Sequence, residues 1–72
     1  MASRLIEDYF PKTAEYINSS EVSEERAGHH NYVIEQKVLN LVVPLANMKE
    51  SEVKKLDDEF LEYLRELDVP IG

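Results

Sequence analysis

Asp58, Glu62 and Glu66 lie four residues apart, a spacing that stacks three carboxylates in one column on a helix. Like charges at that spacing work against the helix by about 0.2–0.5 kcal/mol per pair. Glu66 and Asp68 also fall at the C-terminal end of the same segment, where the helix dipole disfavours anions. Lys54 and Lys55 fall near its start, where the dipole disfavours cations. Pairing of Lys55 with Glu59 and of Glu62 with Arg65 offsets part of this. Charges kept in place against local stability make Asp58, Glu62 and Glu66 the expected face for a basic protein partner. A solvated face on an acidic chain accounts for the same pattern.

The adjacent pair His29-His30 is the other chemistry-bearing feature. Imidazole is the commonest metal ligand and titrates near neutrality. Neighbouring residues on a helix or strand point in different directions, and neither HExxH nor an i, i+4 histidine pair is present. The pattern predicts two exposed loop histidines and no metal site. Catalysis has little to build on. There is no cysteine, no serine in a Gly-x-Ser-x-Gly setting, and only two glycines with which to write a phosphate-binding loop. The carboxylates fall on a face expected to be exposed, away from the apolar pockets that raise a carboxyl pKa. A non-enzymatic chain without a cofactor is the expectation.

The elements that would position these residues read as helices. Over residues 4–18, Leu5, Ile6, Tyr9, Phe10, Thr13, Tyr16 and Ile17 share one helical face, with charged residues opposite. Pro11 falls on the polar side; one kinked helix and two short helices meeting at Pro11 both fit. Residues 19–31 are polar. Asn18 and Glu21 have capping-box spacing, so either a short helix near 20–27 stopped by Gly28 or an ordered loop fits. Residues 31–48 are the most apolar, with Ile34, Val38, Leu41, Leu45 and Met48 as a central stripe. Tyr32, Leu39, Val42, Val43 and Ala46 widen that arc to roughly 200°, twice the ~100° stripe of an ordinary surface helix. A kink or break is expected near Pro44. Residues 51–68 carry the clearest amphipathic pattern: Val53, Leu56, Phe60, Tyr63, Leu64 and Leu67 face inward, and Val69-Pro70 ends the helix.

These readings combine into an all-α fold class. The expected architecture is a single domain over 1–72, a small bundle of three main helices at about 4–18, 31–48 and 51–68. A chain of 72 residues without disulfide or structural metal has few ways to reinforce a small core, and oligomerisation is one. The wide apolar arc predicts a homodimer in which Leu39, Val42, Val43 and Ala46 make the self-contact. A monomeric bundle is the competing solution.

The segment Ser3-Arg4-Leu5-Ile6-Glu7-Asp8-Tyr9-Phe10 resembles the PIP box, the peptide by which many proteins bind sliding clamps of the PCNA family. Ile6 matches its aliphatic position and Tyr9 and Phe10 its aromatic pair, while Ser3 stands where the pattern has Gln. The resemblance implies clamp binding through Ile6, Tyr9 and Phe10. Burial of one face of the first helix explains the same residues.

Composition narrows the remaining choices. The formal net charge is −7, with 32% of residues charged. That disfavours direct nucleic-acid binding and anionic membrane surfaces, both of which call for cationic side chains. No apolar run is long enough to span a membrane, and the first residues lack the apolar region of a secretory signal, so cytoplasmic localisation is expected. The primary functional expectation is an acidic helical protein–protein interaction module: a small adaptor, regulator or subunit. The alternative, motivated by the charge, is an acidic inhibitor of the anti-defence or antitoxin kind that occupies a nucleic-acid-binding protein.

Overall fold

The computed structural model describes residues 1–70. The last two positions of the single domain expected over 1–72 lie outside the described residues. The described chain is all-α: α1 spans Arg4–Tyr9, α2 Pro11–Ile17, α3 Glu24–Leu39 and α4 Glu50–Leu67, with one 3-10 turn at Leu45–Asn47. No described helix is long and apolar enough to cross a membrane.

Proline decides between the two arrangements open for the first segment. The ring of Pro11 excludes Phe10 from the α region, and Phe10 takes φ −128° and ψ 70°. Two short helices therefore meet there, with Pro11 at the first position of α2, where its missing N–H is no loss. Ile6, Phe10, Ala14 and Ile17 still line one buried face across the break. Leu5 and Tyr9 turn outward.

The middle of the chain differs from its sequence expectation. The helix does not run over 31–48, and there is no separate helix near 20–27. Ser23 caps α3 by accepting a hydrogen bond from the Arg26 amide at 3.2 Å, with Glu24 and Glu25 in the first turn, where anions suit the dipole. Gly28 then lies inside α3 with ordinary helical backbone, and a Cβ added there would meet open space. The helix stops at Leu39. Pro44 disfavours the α region at Val43, and in a continuous helix its ring would clash with the carbonyl of Asn40. The chain instead runs without regular structure from Leu41 to Pro44 before the 3-10 turn. Leu39 ends α3, and Val42, Val43 and Ala46 do not share a helical face with it.

α4 matches its expected span to within one residue at each end, though its N-cap is Lys49, with no side-chain cap. Phe60 and Leu64 are buried; Val53, Leu56 and Leu61 are half-covered; Tyr63 and Leu67 are exposed. Lys37 from α3 lies over the Tyr63 ring, its Nζ 4.0 Å from the centroid, a cation–π contact. α2 packs along α4, α1 folds back on α2, and both touch α3. The Phe10 and Phe60 rings meet edge-to-face with centroids 5.0 Å apart at the centre.

Candidate interaction surface

Three buried polar residues sit in the apolar stripes, and they fix the frame on which the surfaces are carried. Asp57 is only 3% exposed. Its Oδ2 accepts the Lys12 amide at 3.0 Å, and its Oδ1 accepts the Thr13 amide at 2.9 Å. The Thr13 hydroxyl lies 2.7 Å from Oδ1 and 3.0 Å from the Asp57 carbonyl oxygen. A carboxylate on α4 thus caps α2, whose own N-cap, Phe10, has no side-chain acceptor. The accounting for the first turn is complete. Pro11 has no N–H, Lys12 and Thr13 donate to Asp57, and Ala14 donates to the Phe10 carbonyl at 2.8 Å. A seven-residue helix is too short to persist alone, so this tie makes α2 dependent on α4.

A second cluster holds the other end of α4. Asp68 Oδ2 accepts the Tyr16 hydroxyl at 2.5 Å and lies 2.9 Å from His30 Nε2; Arg26 Nε approaches Oδ1 at 3.4 Å. Burial pushes the Asp68 carboxyl up. The hydrogen bonds from Tyr16 and His30 and the Arg26 guanidinium beside it outweigh this and hold the group below its usual value. Burial and the bond to Asp68 push the Tyr16 hydroxyl up to about 12. The expectation of two exposed loop histidines is corrected here. Both histidines lie in α3, and His30 is 1% exposed because it occupies the core column with Ala27 and Ile34. His30 Nδ1 has no partner among the described residues. These contacts, all converging on Asp68, tie α2 and α3 to the end of α4.

The acidic column stands outside this frame. Asp58, Glu62 and Glu66 are all exposed on the outer face of α4. Asp58 also pairs with Lys12 at 3.0 Å, both side chains well hydrated, and that contact raises the Lys12 pKa. The clamp-like segment is divided. Ile6 and Phe10 are fully buried and only Tyr9 is accessible, so a clamp could take up this peptide only after α1 had left the core. Among the described residues, no group of three or more His, Cys, Asp or Glu side chains is arranged to hold a metal ion.

The connection between α3 and α4 has the opposite character. Val38 to Met48 is the longest stretch of the sequence without a charged residue, and Lys37 and Lys49 bound it. Within it Leu39 is 75% exposed, Val42 99% and Val43 48%. Full burial of an exposed side chain of this size is worth about 1.5–3 kcal/mol, most of which Val42 and Leu39 forgo and about half of which Val43 forgoes. Ala46 lies just beyond, in a groove of about 510 Å³ that runs from Tyr9 and Pro11 to Leu45, Met48 and Val53. Of the residues named from the sequence for self-contact, Leu39 ends α3, Val42 and Val43 lie on irregular backbone, and Ala46 lies in the 3-10 turn. Sequence reasoning did not include the groove's far wall, Tyr9 and Pro11, in the self-contact, because only the break at Pro11 turns Tyr9 outward.

Comparison of the chain with protein-family models, curated proteins and solved structures finds no match.

Proposed function

We propose that this chain is a non-enzymatic protein-interaction module that self-associates through the α3–α4 connection. The acidic face of α4, with Asp58, Glu62 and Glu66, is then left for a basic protein partner. The observation that carries the reading is the exposure of Leu39, Val42 and Val43 inside the longest uncharged stretch of an acidic chain. Each copy bears a net charge of −7, so contact through most other surfaces would set acid against acid. The uncharged connection avoids that repulsion.

Surface area supports the same reading. The accessible surface is 5350 Å². A compact monomer of this mass would expose about 4600 Å², leaving an excess of roughly 700 Å². A standard interface removes about 800 Å² from each partner. The molecule is also elongated, at 38 × 24 × 18 Å.

Light scattering across a concentration series tests the reading. The expected result is a mass that rises with concentration from 8.4 kDa toward twice that value. Val42→Asp should hold the mass at the lower value, since it places a charge in the contact. A wild-type mass fixed at 8.4 kDa throughout would overturn self-association.

A further inference from the structure

Resting on that self-association, we infer that the groove bounded by Tyr9, Pro11, Leu45, Ala46, Met48 and Val53 receives Val42 and Val43 of a second copy of this chain, reciprocally about a two-fold axis. The exposed valines directly precede Leu45, Ala46 and Met48, which form one wall of the groove, yet the valines do not line it, and Val42 is almost fully exposed. A projection beside a recess of matching chemistry is what an isologous contact requires. Residue i of one copy meets residue j of the other, and j meets i. Val43 and Leu45 are separated only by Pro44, so the projecting valines and the groove wall adjoin along the chain.

The groove wall suits this occupant. Its floor is apolar, and its charged residues are Asp8, Glu50 and Lys54. Glu50 and Lys54 already pair with each other at 3.6 Å. The incoming segment carries no charge, so nothing in it competes for them. Pro44 cannot donate a backbone hydrogen bond, which leaves the connection one fewer polar group to satisfy on entering a contact.

The chain has no cysteine, so single substitutions give clean cross-linking probes. Val42→Cys and Ala46→Cys chains are mixed as full-length proteins, oxidised, and resolved by mass. Dissociation constants of the wild type, Val42→Asp and Ala46→Phe are measured in parallel by sedimentation equilibrium. The last substitution fills the groove from within, at an exposed position. The expected result is a mixed disulfide between positions 42 and 46 as the dominant product, with dissociation constants raised at least about tenfold for both other variants.

Three outcomes overturn the inference, and they separate it from the reading beneath it. If Val42→Asp weakens the dimer while Ala46→Phe does not and no mixed disulfide forms, self-association stands and the groove is not its receptor. If Val42→Cys cross-links mainly to itself, the axis passes through the valines. If the wild type is monomeric at every concentration, both fall. Circular dichroism of each variant reports folding. Should Ala46→Phe unfold, the cross-link alone decides.

Discussion

Asp57 and Val42 reverse the usual placement of their types: a carboxylate sits 3% exposed in the core and a valine 99% exposed on the surface. The difference lies in what each has been given to contact. Asp57 meets a hydroxyl and two backbone amides, and the amides would otherwise be left unpaired. Desolvation of its charge is thereby matched by hydrogen bonds. Val42 has no neighbour to exclude water from it. The buried anion is explained by contacts within this chain; the exposed valine has none there, and under the proposed self-association it meets a second copy. Internal accounting closes at the α2–α4 junction and stays open at the α3–α4 connection.

The largest effect is expected where the accounting closes. Asp57→Ala strands the Lys12 and Thr13 amides, leaves the Thr13 hydroxyl only the carbonyl oxygen of residue 57 at 3.0 Å, and should lower stability by about 2–4 kcal/mol. For a chain of this length the total is on the order of 4–11 kcal/mol, so α2 should loosen even where the rest remains folded. Urea unfolding followed by circular dichroism measures the change. Asp58→Asn, one residue along on the exposed face, is the matched control and should leave the midpoint in place. Equal effects at the two positions would break the contrast between a paired buried carboxylate and a hydrated one.

The cluster around Asp68 predicts a pH dependence with a sign at each end. Its carboxyl is held below the usual 3.8, so the fold favours the ionised form. That contribution is complete above the usual value and is lost as pH falls through the depressed one. Tyr16 is raised from 10.0 to about 12, so the fold favours the neutral hydroxyl. Its contribution is complete below pH 10.0 and disappears as pH rises toward 12. Asp68→Asn should cost about 1–2 kcal/mol at neutral pH and flatten the acid limb. Tyr16→Phe should flatten the alkaline limb. The urea midpoint across pH for the three proteins checks this, and unchanged limbs would mean the cluster does not hold α2, α3 and α4 together.

The helices of this frame are largely legible along the chain, its buried Asp57 and His30 are not, and the failures have physical causes. Thr13 follows Ile6 and Phe10 at core spacing; Asp57 falls between Val53 and Phe60; His30 falls between Ala27 and Ile34. A polar residue at a core position is itself a signal, but its partner lies 44 positions away for Asp57 and 38 for His30. No local pattern pairs them. Gly28 reads as a stop because glycine favours helix ends. It stays helical because the Ser23 cap and the Ala27–His30–Ile34 column extend the element on both sides of it. The apolar periodicity of 31–48 reads as helix, and Pro44 overrules it by disfavouring the α region at Val43 and clashing with the Asn40 carbonyl. The acidic column is legible as to face and exposure, since three residues at i, i+4 spacing need only the helix itself. The groove is not, because its two walls come from the Pro11 break and the 3-10 turn.

The smallest effect is the most discriminating for the connection. Val42→Asn removes apolar surface that touches nothing within its own chain, so it should change the stability of the dilute monomer by no more than about 0.5 kcal/mol. At high protein concentration the result should differ. A protein that folds and then pairs gains apparent stability by mass action, so the wild-type unfolding midpoint should climb with concentration. The Val42→Asn midpoint should stay flat, and the two curves should meet only on dilution. Loss of stability at every concentration would instead mean that Val42 packs within its own chain, and the exposed connection would then be ordinary core. Parallel curves would place the self-contact on another surface. The pairing of a silent monomer with a concentration-dependent dimer is the signature that an exposed valine, unlike a buried aspartate, owes its contribution to another copy.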